Sequence, residues 1–497
     1  MIINDEVRYR AVQSRDARFD GKFFTAVMTT GVYCRPICPA KTPLRRNVRF
    51  FSCAAAAEEA GFRPCKRCRP ESAPGTPVWN GTESSVARGV RLIESGFLEE
   101  RSVEELADVL GMGSRHLRRL FIRHLGAPPK ALDLRRKTHF AALLLAQTAL
   151  PVTSIALDSG FRSIRRFNDA FRQSFGLSPT EVRRRAAVAG PDGPRSVCTE
   201  LLLSYRPPFD WQSLLDFYAK RAIHGVELVV EGRYRRSFSV ATKNGPVTGT
   251  LSVANLAERN SLLLQISAAP VKLSKVTARI RSMFDLSADP QIIAEHLGKA
   301  PRLAPLVEQT PGVRIPGYFD PFEAAVRAVL GQQITVGAAV GLLDRLVRLC
   351  GTSLGNAATD FIEVLFPTPR QLYEADLSSL GMPGTRKRAL KAVAGAWLDG
   401  SIGSHTYRGS ADLLRALESI DGIGTWTAEY TSLRGFGEPD ALPASDVGLR
   451  AAVGRLLGRQ EKAATREVEQ CAEEWRPWRG YAAQLLWQSL DGTTKEE

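Results

Sequence analysis

The sequence predicts a multidomain protein, mainly α-helical with α+β parts. Three observations predict it. The chain has 497 residues, and a domain usually holds about 100–200, so three or more domains are expected. Two breaks rich in Pro, Gly and small polar residues divide it, Ser72-Ala-Pro-Gly-Thr-Pro-Val-Trp-Asn-Gly-Thr82 and Ala189-Gly-Pro-Asp-Gly-Pro194. The apolar period also changes along the chain. It is helical between the breaks and alternates, as in strands, at Val226-Glu-Leu-Val-Val-Glu231 and Leu262-Leu-Leu-Gln-Ile266. It is helical again from about residue 290. The expected domains are 1–76, 82–188, 197–286 and 287–497.

Charge is uneven. The chain carries a formal net charge of +15. Residues 1–190 hold 32 Lys and Arg against 18 Asp and Glu, whereas residues 191–497 hold 35 against 34. Such an excess in the first segment suits a polyanion, and nucleic acid is the common one. Removing residues 1–190 should therefore weaken binding to DNA and flatten its salt dependence. The first ten residues lack the apolar core of a secretory signal, and the apolar stretch Phe140 to Val152 is too short to span a bilayer. A cytoplasmic protein with no membrane partner is expected.

The first element is a cysteine cluster. Cys34 and Cys38 form one close pair, Cys65 and Cys68 another. Zn2+ takes four soft ligands, and short loops present them two at a time. Without an export signal, such spacing favours a metal over disulfides. Cys53, Cys198, Cys350 and Cys471 are scattered and are expected to be inert, buried thiols. Arg35, Arg45, Arg46, Arg49, Arg63, Lys66, Arg67 and Arg69 surround the cluster and suit a phosphate surface. Thr29-Thr-Gly-Val-Tyr-Cys34-Arg-Pro-Ile-Cys38 and Gly61-Phe-Arg-Pro-Cys65-Lys-Arg-Cys68 closely resemble the zinc domain of the Ada family of DNA-alkylation response proteins. The resemblance implies that Cys34 accepts a methyl group from a methylated DNA phosphate. It also implies that Thr30, Arg63 and Arg67 touch DNA.

The second element is a pair of similar helical units. Ser102-Val-Glu-Glu-Leu-Ala-Asp-Val-Leu-Gly111 precedes a helix expected to be capped by Ser114, with a basic face of Arg115, Arg118, Arg119 and Arg123. Thr153 to Gly160 and Ser163 to Arg172 repeat the plan, closed by Gly176-Leu-Ser-Pro-Thr180. The pattern resembles the double helix-turn-helix domain of AraC-type regulators, which places two recognition helices in successive major grooves. A transcription-activating role would add promoter DNA and RNA polymerase as partners, with the chain as a monomer.

The third and fourth elements make up the C-terminal half. Leu417-Glu-Ser-Ile-Asp-Gly422-Ile-Gly424-Thr-Trp-Thr-Ala-Glu-Tyr430 reads as helix, tight turn, helix. Gly422 and Gly424 let the backbone approach a phosphate, and the second helix offers its N–H groups. Leu442-Pro-Ala-Ser-Asp446-Val-Gly-Leu-Arg450 follows. Asp446 precedes a helical run and is an N-cap on that ground alone. The spacing resembles that of the helix-hairpin-helix DNA glycosylases. In them an Asp on this loop is the catalytic carboxylate, which implies that role for Asp446. Enzymes of that superfamily that also cut the backbone carry a Lys where Trp426 stands. The resemblance thus implies a monofunctional enzyme that leaves an abasic site.

The wider likeness, over about residues 197–491, is to AlkA-type 3-methyladenine DNA glycosylases. It is carried by Tyr205-Arg-Pro-Pro-Phe-Asp-Trp211, by Pro321-Phe-Glu-Ala-Ala-Val-Arg-Ala-Val-Leu-Gly-Gln332-Gln333 and by Trp478-Arg-Gly-Tyr-x5-Trp487. It implies a small β-rich domain before the all-α one. Trp426, Tyr430 and Trp487 would line the base pocket, where each ring could attract a cationic base by about 0.5–2 kcal/mol. Gln332 and Gln333 would meet DNA, with Gln333 standing where the wedge residue is often apolar. Double-stranded DNA is the partner and Zn2+ the cofactor that these resemblances imply. None of the eight cysteines is followed by His-Arg, so no direct repair of alkylguanine is expected. Two rivals remain: a regulator whose glycosylase half is silent and senses lesions, and a glycosylase for oxidised or mismatched bases.

Overall fold

A computed structural model describes residues 4–65, 67, 68, 70, 84–187, 198–242, 245–268, 272–355, 358, 361–403, 407 and 409–492. Both Pro/Gly breaks, Lys66 and Arg69 lie outside the described residues. The chain is multidomain, with α-helices and β-sheets. It divides into two compact units. One holds residues 1–207, 256–278 and 286–288. The other holds 208–255, 279–285 and 289–497. Among the described residues, no helix is long and apolar enough to cross a membrane.

The first unit opens on a helix, Asp5–Ser14, capped by Asn4, whose side chain accepts from the Val7 N–H. A four-stranded sheet follows, in the order Val48–Phe51, Phe24–Val27, Val32–Cys34, Arg63–Pro64. The first three strands pair antiparallel, and the last runs parallel to its neighbour. Helices then succeed one another from Ser84 to Ala187. Ser102 begins Val103–Val109 with a full capping box, Glu105 returning the bond, so two of the helix's free N–H groups are satisfied. Ser114 is the first residue of helix Ser114–Leu125 rather than its cap. Gly113 holds that position and offers no side chain to cap with. In the second unit of the repeat, Ser163 does cap Ile164–Phe175 through the Arg166 N–H, and Gly176 ends it at φ 64°. Leu117, Phe121 and Leu125 point inward on one recognition helix, Phe167, Phe171 and Phe175 on the other. The opposite faces expose Arg115, Arg118, Arg119 and Arg123, and Arg165, Arg166 and Arg172. Strand Cys198–Ser204 pairs antiparallel with Ser261–Ala268.

The second unit contains helix Trp211–Ala219 and a meander of strands Glu227–Val230, Arg233–Thr242 and Gly245–Leu256. Its all-helical part is built around Pro321–Leu330, in which nine of ten residues are buried although two, Glu323 and Arg327, are charged. Burial of those charges is compensated locally. Arg327 meets Glu227 at 2.5 Å and Glu323 at 2.7 Å, and Arg236 meets Glu323 at 2.7 Å. Leu342, Leu346, Leu390, Val393, Leu413 and Leu417 close the apolar core around this helix. Each is worth about 1.5–3 kcal/mol when withdrawn from water. Of the scattered cysteines, Cys53 and Cys350 are buried as expected, but Cys198 and Cys471 are only half-buried. Cys198 starts a strand, and Cys471 lies near the end of helix Thr465–Ala472, where solvent still reaches it.

Candidate active site and metal centre

The hairpin is formed by helices Ser410–Glu418 and Thr425–Phe436. Gly422 turns between them at φ 82°, where a Cβ would meet the Cβ of Ala389 at 2.5 Å, so glycine is required twice over. Gly424 caps the second helix, and both glycines are exposed. The Gln332 side chain is bound to this turn. Its amide donates to the Gly422 carbonyl at 3.1 Å and to Thr427 Oγ1 at 2.9 Å. Gln333 is exposed in the left-handed region at φ 56°, which is uncommon for a residue with a side chain. Arg386 anchors that turn by donating to the Gln332 carbonyl at 2.6 Å.

Asp446 caps helix Val447–Leu456, as its place before a helical run suggests. Its carboxylate takes up more than the cap. Oδ1 accepts from the Leu449 N–H at 2.8 Å and from Trp487 Nε1 at 2.9 Å, and Oδ2 accepts from Trp426 Nε1 at 3.0 Å. Two indoles and one amide thus fix both oxygens, while the residue itself stays half-buried. The Trp426 ring stacks on Tyr430, centroids 5.2 Å apart and planes 19° apart. Trp426, Tyr430, Trp487 and Asp446 are therefore gathered into one site. A cleft of about 410 Å3, lined by residues such as Tyr373, Lys391, Ile402, Ile420 and Asp421, includes none of these four.

The loop that carries Asp446 is tied at several points. Glu429 Oε2 accepts from the Leu442 N–H at 2.9 Å. Asp440 pairs with Arg476 at 2.5 Å and Arg479 at 3.0 Å, and the Gly480 N–H donates to the Pro439 carbonyl at 2.8 Å. Burial pushes the Glu429 carboxyl up to about 7, against the lowering effect of the Leu442 N–H and Arg479. Behind the rings sits Arg434, buried, its guanidinium 5.0 Å from the Trp487 ring and 5.6 Å from the Tyr430 ring. Tyr318 reaches the Tyr430 hydroxyl from another segment. Sequence reasoning missed Glu429, Arg434 and Tyr318. The first two lie on the hairpin's second helix, where only the offsets of Glu429 from Trp426 (i, i+3) and of Arg434 from Tyr430 (i, i+4) could have drawn attention.

In the first unit, the sulfurs of Cys34, Cys38, Cys65 and Cys68 all lie within 4.8 Å of one another. Four Zn–S bonds of about 2.3 Å need a cluster of this size, and the all-sulfur donor set suits Zn2+. The pairing of Val32–Cys34 with Arg63–Pro64 brings the two cysteine pairs together, and the Cys65 N–H donates to the Tyr33 carbonyl at 2.9 Å. Cys68 is buried and accepts the Arg35 N–H at 3.3 Å, whereas Cys34, Cys38 and Cys65 are half-buried. The Arg35 side chain is held by buried Asp20. Thr30, Arg63 and Arg67 are exposed. Thr30 sits in the turn between strands Phe24–Val27 and Val32–Cys34, and the Arg63 N–H donates to the Gly31 carbonyl at 2.9 Å.

Comparison with known proteins places four segments. Residues 7–71 match the metal binding domain of Ada, 106–185 a helix-turn-helix domain, 200–320 the AlkA N-terminal domain, and 326–477 the HhH-GPD superfamily base excision DNA repair proteins. The probable bifunctional transcriptional activator/DNA repair enzyme AlkA of Mycobacterium tuberculosis is 42% identical over 489 residues, 97% of this chain and 96% of that protein. DNA-3-methyladenine glycosylase 2 of Escherichia coli is 35% identical over 57% of this chain and 95% of its own length. The bifunctional transcriptional activator/DNA repair enzyme Ada of Escherichia coli is 35% identical over 36% of this chain and 49% of its own length. Among solved structures, the 3-methyladenine DNA-glycosylase from Archaeoglobus fulgidus shares the fold, with a TM-score of 0.50 at 19% identity over 58% of this chain and 97% of that one.

Proposed function

Because this chain belongs to the family of bifunctional AlkA-type transcriptional activator/DNA repair enzymes, we propose that Asp446 is its excision carboxylate and Cys34 its methyl acceptor. The protein is a DNA-binding repair protein that joins a zinc-binding domain and a helix-turn-helix domain to a base-excision glycosylase. Its glycosylase activity is of the 3-methyladenine type.

The observation that carries the Asp446 assignment is its three hydrogen bonds. A carboxylate held by two indole N–H groups and an amide keeps its charge in place with no reorganisation, which is what stabilising a developing cation requires. In this reading the damaged nucleotide leaves the stack and its base lies against Trp426 and Tyr430. The C1′–N bond breaks, its electron pair goes to the base, and the positive sugar forms beside Asp446. Water then adds at C1′ and leaves an abasic site. Trp426 offers no amine, so no Schiff base forms and the strand stays intact. The exposed turn residue Gln333 fills the vacated gap, and the backbone around Gly422 and Gly424 receives a phosphate. Gln332 supports these contacts by holding the turn.

Cys34, Cys38, Cys65 and Cys68 hold Zn2+, which supplies the charge that keeps their sulfurs as thiolates. Cys34 takes the methyl of a methylphosphotriester. The S–C bond forms as the C–O bond breaks, and the phosphodiester anion departs. Thr30, Arg63 and Arg67 hold the DNA for this step. The exposed arginines of both recognition helices hold promoter DNA, and activation from there acts on RNA polymerase. The protein works as a monomer in the cytoplasm. The experiment is abasic-site formation on methylated DNA by wild type and Asp446→Asn. The variant should lose at least about a hundredfold in rate, and equal rates would reject Asp446.

A further inference from the structure

The excision chemistry above leaves one feature of the pocket unused, a pair of hydroxyls. The phenolic oxygens of Tyr318 and Tyr430 lie 3.4 Å apart. Tyr318 is 6% exposed. The Arg327 guanidinium, 4.5 Å from its ring centroid, and Phe217, at 6.0 Å, hold it in place. When two hydroxyls touch, one proton lies between them and the other is left over. Either oxygen can be the donor in this contact, and the orientation in which buried Tyr318 donates is the one that concerns the base. The Tyr430 proton is then left for whatever occupies the pocket beside Trp426.

The surroundings strengthen that donor. Arg434 lies against the Tyr430 ring, and its own hydrogen bonds go to neutral acceptors, the Pro316 carbonyl at 3.0 Å and Gln484 Oε1 at 2.9 Å. Its charge is therefore felt by the rings it touches. Burial raises the Tyr430 hydroxyl, but Arg434, Arg221 and the Tyr318 bond outweigh that and leave it more acidic than usual. Tyr318 is shifted the opposite way, by burial first and then by Tyr430.

We propose that the Tyr318–Tyr430 pair donates a hydrogen bond to the departing base, and that Tyr318 thereby tunes which bases are released. The proposal rests on the glycosylase reading of Asp446. Breaking the C1′–N bond sends an electron pair to the base. A cationic alkylpurine such as 7-methylguanine departs as a neutral molecule and gains little from a donor. A neutral purine such as hypoxanthine departs with negative charge spread over its ring nitrogens and oxygen, and a donor on that edge stabilises it. Water adds its oxygen to C1′, and its proton ends on the hypoxanthine anion or, when the base has left neutral, in solvent. Both tyrosines keep theirs. The pair thus favours neutral, poor leaving groups.

The test is single-turnover release from duplexes carrying either 7-methylguanine or hypoxanthine. Tyr318→Phe keeps the ring under Arg327 and removes one oxygen. It should lower the hypoxanthine to 7-methylguanine rate ratio about tenfold. Tyr430→Phe should shift the ratio the same way, and the double variant should go no further than Tyr430→Phe alone, because the two act as one unit. An unchanged ratio in Tyr318→Phe, or additive losses, overturns the proposal. So does a wild type that releases 7-methylguanine but no hypoxanthine, which leaves the Asp446 reading standing. Release of neither base overturns the glycosylase reading first.

Discussion

Residues 1–190 and 191–497 carry nearly the same number of cations, 32 and 35, yet they use them differently. In the first segment, Arg115, Arg118, Arg119, Arg123, Arg165, Arg166 and Arg172 stand exposed along two recognition helices. In the second, Arg236, Arg314, Arg327 and Arg434 are each at most 5% exposed. Arg236 and Arg327 are matched against Glu227 and Glu323, and Arg434 is pressed against aromatic rings. Exposed cations attract phosphate and are screened by salt. Buried ones shape a pocket and are felt only locally. Residues 191–497 are near neutral because 34 acidic residues offset the 35 cations, and burial of Arg236, Arg314, Arg327 and Arg434 withdraws several of those cations from any phosphate surface.

That contrast can be broken in several ways. The largest effect should come from the metal. Binding of structural zinc can be worth about 10 kcal/mol or more. Chelation, or Cys65→Ala, should therefore abolish methyl uptake while excision at Asp446 continues. Scintillation counting of labelled methyl beside abasic-site counting checks this. Next comes the buried network. Glu323→Gln leaves Arg236 and Arg327 to share Glu227, and should cost about 3–5 kcal/mol in denaturant unfolding. Arg118→Ala, on the exposed face, should cost less than about 0.5 kcal/mol. Third, neutralising Arg115, Arg118, Arg119 and Arg123 together should reduce the salt slope of duplex binding by about three to four, or about 0.9 per lost phosphate contact. An unchanged slope would show that these cations do not face DNA.

The smallest effect concerns the loop that holds Asp446. The Glu429 carboxyl sits at about 7, above the 4.5 of a free glutamate, chiefly through burial. The folded state therefore holds this proton longer than the unfolded chain does. Stability from this group is present below about pH 4.5 and is lost as pH rises through about 7. Glu429→Gln can still accept from Leu442 and carries no charge. It should be more stable than wild type at pH 8 by on the order of 2 kcal/mol, with the gain fading by pH 4.5. Melting curves across that range check the sign.

Much of the fold and site was legible because it depends on local sequence. Gly422, Gly424, the capping position of Asp446 and the paired cysteines all follow from short-range backbone or ligand geometry. The helix-turn-helix repeat was legible through its two matching runs, although the cap of the first recognition helix proved to be Gly113 rather than Ser114. What could not be read is tertiary. The resemblance implied a lining role for Trp426 and Trp487 but not their bonds to Asp446, which span 20 and 41 residues. The bonds of the Gln332 amide to the hairpin, 90 and 95 residues away, were likewise not readable. Tyr318 lies 112 residues from Tyr430, and no periodicity links the two.

The central claim is that one chain carries two separable chemistries, turnover at Asp446 and stoichiometric methyl capture at Cys34. The most direct measurement gives wild type, Asp446→Asn and Cys34→Ala the same methylated duplex and counts abasic sites and protein-bound methyl together. Asp446→Asn should take up methyl and make no abasic sites. Cys34→Ala should make abasic sites and take up no methyl. If either substitution removed both products, or neither, the account would be contradicted.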